Sequence, residues 1–184
     1  MAKRSRSLVF YFFLLAVLLS ITALSGCSQS RRGLLDYQSG ELELSLKAKT
    51  DELEFSAILC LGEMTDLGTR DLALTVTAPD TLKGIVFTKS SDGSLAVEYN
   101  GLTLDVSGDS TVVHKISELF CINEKPLAVS AVLGADEGLS KYDFLTRLEF
   151  SDAVVFLDNT TDTPVKLVSD GIELVITSFE NKKG

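Results

Sequence analysis

Between Glu41 and Val106 apolar residues fall on every second position, and this alternation constrains the fold more than any other feature. Leu42, Leu44 and Leu46 alternate with Glu41, Glu43, Ser45 and Lys47. Leu53, Phe55, Ala57, Leu59 and Leu61 then share one side, and Glu54, Ser56, Ile58 and Cys60 the other. Successive strand residues point to opposite faces, so each segment predicts a strand with one face to bury. Leu72-Leu74-Val76, Leu82 to Lys89, Leu95-Val97-Tyr99 and Leu102-Leu104-Val106 continue the series. Most joints are tight: Thr50-Asp51-Glu52, Pro79-Asp80, Ser91-Asp92-Gly93 and Asn100-Gly101, with one longer break at 62–69. Asn-Gly is the strongest short hairpin signal. Parallel pairing needs long crossovers, so these strands predict an antiparallel meander.

The middle of the chain changes period. Val112, Val113, Ile116, Leu119 and Phe120 have helical spacing, with Asp109 or Ser110 as N-cap. Residues 124–133 predict a second helix, capped by Asn123, with Pro126 in its first turn and Gly134 to end it. Residues 135–143 read as a loop or a short helix. Strands return at Leu148 to Leu157, Val165 to Val168 and Ile172 to Phe179, divided by turns at 158–164 and Ser169-Asp170-Gly171. A sheet with one apolar face must cover it, and only these short helices are on hand. The expected fold is mainly β (α+β). It is a strongly curved antiparallel sheet of about eight or nine strands, an open half-barrel plugged by two or three short helices.

The N-terminus carries a different signal. Lys3, Arg4 and Arg6 precede an apolar run from Leu8 to Leu19, and Leu24-Ser25-Gly26 leads directly into Cys27. These are the regions of an export signal, with the cysteine where bacterial lipoproteins are cleaved and lipidated. The other reading is an uncleaved N-terminal anchor, which exports the same domain. The expected division is 1–26 signal peptide, 27–40 lipidated Cys27 and tether, 41–180 half-barrel, and 181–184 polar tail. Two acyl chains such as palmitate, at about 0.8 kcal/mol per buried methylene, make a stable anchor. The expected location is the extracytoplasmic face of the cell membrane, or the outer membrane in a host that has one.

From Cys27 onward there are 14 basic and 26 acidic residues, a formal charge of −12. No basic stripe exists to neutralise phosphates, so nucleic acid is not an expected partner. Acidic surface also repels anionic headgroups, which leaves membrane attachment to Cys27.

Few residues offer chemistry. His114 is the only histidine and lies beside the apolar stripe of the first helix. Cys60 and Cys121 match no zinc spacing with it, and the preferred reading is two separate half-buried thiols. Asp51-Glu52 and Asp136-Glu137 sit at turns, where carboxylates are solvated. No metal, cofactor or catalytic group is assigned, and the protein is not expected to be an enzyme. Two readings of the concave face stay open. Phe55, Leu74, Val76, Phe87, Val97, Tyr99, Ile116 and Phe120 line a cavity for an apolar ligand, or the helices fill that space as an ordinary core.

The strand and helix order, together with two stretches, resembles the outer-membrane-lipoprotein carrier superfamily, the LolA/LolB-like fold. One stretch runs from Asp158-Asn159-Thr160-Thr161-Asp162-Thr163-Pro164 through Ile172-Glu173-Leu174 to Phe179. The other, Ala78-Pro79-Asp80-Thr81-Leu82-Lys83-Gly84-Ile85 and Gly93 to Leu102, is similar to Gram-positive lipoproteins of this fold. The resemblance implies a half-barrel and a lipid or acylated protein as ligand. The alternative it implies is an envelope scaffold that binds another protein, for example in sporulation or germination. Arg70 and Arg147, the arginines within 41–180, lie in no motif matching the carriers' acyl-gating arginine.

Overall fold

The computed structural model describes Gly33, residues 35–106 and residues 112–182. The expected signal peptide, Cys27 and the proposed caps Asp109 and Ser110 lie outside the described residues. One compact unit runs from Leu35 to Gly184.

Its strands are β1 (Leu42–Thr50), β2 (Glu54–Leu61), β3 (Leu72–Ala78), β4 (Val86–Lys89), β5 (Leu95–Tyr99) and β6 (Leu102–Val106). The helix α1 (Val112–Leu119) follows, then β7 (Ala128–Leu133), β8 (Phe144–Glu149), β9 (Ala153–Asp158), β10 (Pro164–Ser169) and β11 (Ile172–Asn181). All eleven strands form one antiparallel sheet in the order β6-β5-β4-β3-β2-β1-β11-β10-β9-β8-β7. Every neighbour in that order is also a chain neighbour, except β1 against β11, where the two ends of the domain meet.

The sheet is curved and unclosed, and α1 lies in its concavity. The helix touches both β4 and β10, which stand five strands apart. On a flat sheet that separation is about 24 Å. Eight helical residues span only about 12 Å. Lys89 Nζ on β4 donates to Ser117 Oγ at 3.0 Å, and Lys115 Nζ donates to the Asp170 carbonyl beside β10 at 2.9 Å. Val113, Ile116 and Leu119 point into the sheet and are buried, with Phe120 just beyond the helix. The sheet carries rows of strand residues in cross-strand register: Leu44, Leu59 and Leu74 on one side, and Leu174, Leu167, Val155 and Leu148 on the other. All seven are fully buried.

Three expectations need correction. Residues 124–133 are not a helix: Ala128–Leu133 is strand β7, paired with β8 from Ala128↔Glu149 to Leu133↔Phe144. The composition Ala-Val-Ser-Ala-Val-Leu is apolar at almost any period, and β-branched Val129 and Val132 suit a strand. The open edge of β8 then decides, beginning with Leu127 N–H donating to the Glu149 carbonyl at 2.7 Å. The single strand expected over Leu148 to Leu157 is also two strands, closed by Phe150 N–H to the Ala153 carbonyl at 2.8 Å. These changes raise the sheet to eleven strands and leave one helix as the plug among the described residues. Third, β4 starts at Val86 rather than Leu82. Residues 79–85 form turns that end at Gly84, whose φ of 88° favours glycine.

The loop at 134–143 gives the sheet a second cover. Leu139 and Tyr142 fold onto Phe156, Val165 and Val168, on the face away from α1. Gly134 permits this: a Cβ there would collide with the carbonyl oxygens of Tyr142 and Leu139.

Candidate functional site

Phe120 and Ile116 fill the middle of the half-barrel and are wholly buried. The filling stops short at one end. There, beside the first turn of α1, a cavity of about 240 Å³ remains open. Its floor is Phe55 on β2 and Leu74 and Val76 on β3, with Phe87 on β4. Leu53, Leu82 and Ile85 form the strand-turn side of its rim, and Val112 and Val113 the helical side. No charged residue lines it. Such a space cannot hold water well, since a buried water needs polar partners. It is smaller than the roughly 300–1,000 Å³ of pockets for drug-sized ligands. It suits one slender apolar segment.

Of the eight expected lining residues, four are brought together here: Phe55, Leu74, Val76 and Phe87. Ile116 and Phe120 are buried in the core instead. Val97 and Tyr99 lie on β5 beyond the cavity, and Tyr99 is 44 % exposed. Leu82 and Ile85 do not both follow from the sequence, because the alternation predicts a strand over 82–89, where only every second residue lines a face. The alternation places Leu53 in a strand, but it stands just before β2 at the rim. The adjacent Val112 and Val113 both reach the cavity because its wall is the start of α1.

At the other end of β2 and β3 sits a polar anchor that sequence reading missed. Arg70 is 2 % exposed. Its Nε donates to the Gly62 carbonyl at 2.8 Å and its Nη1 to the Gln38 carbonyl at 2.9 Å, while Nη2 donates to the carbonyls of Gly40 and Gly62. The guanidinium thus fastens residues 38–40, ahead of β1, to the β2–β3 connection. Burial lowers its proton affinity, partly offset by Cys121 and Tyr37. Tyr37 is buried alongside, and burial pushes its hydroxyl well above the ordinary tyrosine value, against a smaller opposite pull from its hydrogen bond with Gln38. The only clue in the sequence was an arginine placed directly before an apolar strand.

The thiols are unpaired: Cys60 is exposed on the polar face of β2, and Cys121 is half-buried past α1. For Cys60 this corrects the half-buried expectation, because position 60 shares a face with Glu54 and Ser56. Burial raises Cys121, with Arg70 and then Lys89 pulling the other way. His114 faces Glu118 one helical turn on, at 3.3 Å. Among the described residues no group of three or more His, Cys, Asp or Glu is placed to hold a metal ion, and no helix is long and apolar enough to cross a membrane.

An open, curved antiparallel sheet wrapped around one helix, with an apolar end-cavity, is the class these features define. No family model and no curated protein matches the chain. Similar solved structures include an uncharacterised conserved protein from Thermus thermophilus, at 10 % identity and TM-score 0.48, covering 85 % of this chain and 90 % of that one. Another is a putative outer membrane lipoprotein-sorting protein domain from Vibrio parahaemolyticus, at 12 % identity and TM-score 0.45, with 82 % and 90 % covered. A third is a LolA superfamily protein from Nitrosomonas europaea, at 8 % identity and TM-score 0.43, with 83 % and 94 % covered. The structural neighbours therefore include LolA superfamily proteins.

Proposed function

We propose that this chain is a non-enzymatic lipoprotein of the cell envelope. It is held to the membrane through lipidated Cys27, and it takes up an acyl chain, from a lipid or an acylated protein, in the end-cavity of its half-barrel. The observation that carries the reading is the cavity beside Val112, walled by leucine, valine, isoleucine and phenylalanine. An apolar cavity left open in an otherwise close-packed interior costs stability, about 24 cal/mol per Å³ where it is made by truncation. A ligand of matching chemistry recovers that cost. In this division residues 1–26 direct export, 27–40 form the tether, 41–180 bind the ligand and 181–184 are a polar tail. The acidic balance of the domain supports attachment by lipid rather than by surface charge.

Native mass spectrometry of the chain purified from a bacterial envelope tests the ligand. The expected result is one adduct with the mass of a fatty acid or phospholipid, lost on solvent extraction; a clean apo mass under gentle conditions contradicts the reading. Metabolic labelling with an alkyne fatty acid tests the anchor. The label should disappear in Cys27→Ala, and a variant that still labels rules out lipidation at Cys27.

A further inference from the structure

Strand β6 ends the sheet, and among the described residues it pairs with β5 alone. Its outer backbone row therefore has no strand partner among the described residues. An exposed edge normally carries a lysine, a proline or a bulge that discourages pairing. β6 reads Leu-Thr-Leu-Asp-Val and has none of these. Instead Leu102 is 73 % and Leu104 68 % exposed. They stand opposite Tyr99 and Val97 of β5, making an apolar strip that continues the row Leu74–Phe87–Val97 out of the cavity. The other face of the same hairpin pairs Glu98 with Thr103 and Ala96 with Asp105. Neither strand bears a basic residue.

We propose that β6 binds an extended segment of a partner protein as an added strand. That segment carries apolar residues on one side, over Leu102 and Leu104, and lysine or arginine on the other, beside Glu98 and Asp105. Main-chain hydrogen bonds hold the added strand and its alternate side chains select it. Two other occupants fit less well. A bilayer offers no partners for the open backbone row, which is costly in hydrocarbon. A second copy would bring another acidic hairpin and, from Cys27 onward, another formal charge of −12. The proposal does not rest on the cavity holding a ligand.

The test uses hydrogen exchange by NMR on the full chain, with two short synthetic peptides: one alternating valine and lysine, the other valine and glutamate. The valine–lysine peptide should protect amides within 102–106, bind saturably and weaken as salt is raised. The glutamate peptide should bind at least tenfold more weakly. The double variant Leu102→Gln/Leu104→Gln, altered only at exposed sites, should keep its circular dichroism and its fatty-acid uptake and lose peptide binding at least tenfold. Equal binding of both peptides, or no protection at β6, overturns the proposal. So does a concentration-dependent dimer protecting the same amides without peptide, protection by neutral vesicles alone, or protection that vanishes when residues 1–34 are removed. Absence of fatty-acid uptake by the unaltered chain, with its peptide binding intact, contradicts the cavity reading alone.

Discussion

Arg70 holds three backbone carbonyls from two segments that would otherwise end in unsatisfied oxygens. Removing one partner of a buried hydrogen bond costs about 1–3 kcal/mol per stranded group. Arg70→Ala is therefore expected to destabilise the domain by roughly 3–5 kcal/mol, read as a lowered urea midpoint. Arg70→Lys should recover little, because an ammonium cannot reproduce the planar fork. Retention of wild-type stability by either variant would show that the clamp is dispensable. Tyr37 adds a pH signature. Its folded-state value lies above the unfolded one, so its contribution is complete below about pH 10, the unfolded tyrosine value, and falls as pH rises beyond it. Tyr37→Phe should flatten that alkaline loss in denaturation curves taken on either side of it. An unchanged alkaline slope would mean that Tyr37 ionises in the folded chain as freely as in the unfolded one. Neither residue announced its role in sequence. An arginine and a tyrosine thirty-three positions apart meet only once β1, β2 and β3 have paired.

At the scale of elements, the meander was legible because alternation and hairpin residues agree locally from Leu42 to Val106, and the structure keeps all six strands there. Where local signals conflict, long-range pairing wins. Residues 128–133 had a helix cap, a proline at the start and a glycine at the end, yet they pair with β8. The same Gly134 that reads as a helix terminator serves the strand instead, by letting the loop close onto Tyr142. Gly134→Ala should cost about 1–3 kcal/mol by forced overpacking, seen as a lower melting temperature with faster exchange confined first to β7 and the 134–143 loop. A neutral substitution would contradict the close approach. The helix α1 was visible from its apolar stripe, but its consequence was not. That one helix fills the centre and leaves an apolar cavity beside its first turn depends on sheet curvature, which no local pattern encodes.

At the scale of the whole molecule, the half-barrel is filled at its centre by Ile116 and Phe120 and holds an apolar cavity at the Val112 end. Sequence alone placed Phe55, Leu74, Val76 and Phe87 together because cross-strand register carries their shared face from β2 to β4. It could not rank them above Val97 and Tyr99, since the row continues outward past the point where α1 provides a wall. Size then limits function. At roughly 30 Å³ per water-sized group, the 240 Å³ cavity admits about eight methylenes. At about 0.8 kcal/mol each, they supply roughly 6 kcal/mol before the cost of association. A whole lipoprotein does not fit; a chain end does. The most direct test is calorimetric titration with straight-chain alcohols of increasing length. Affinity should rise about fourfold per methylene, level off near eight carbons, and fall at every length in Ile85→Trp, which blocks the rim. Affinity that ignores chain length, or that survives Ile85→Trp unchanged, would contradict an acyl-binding cavity.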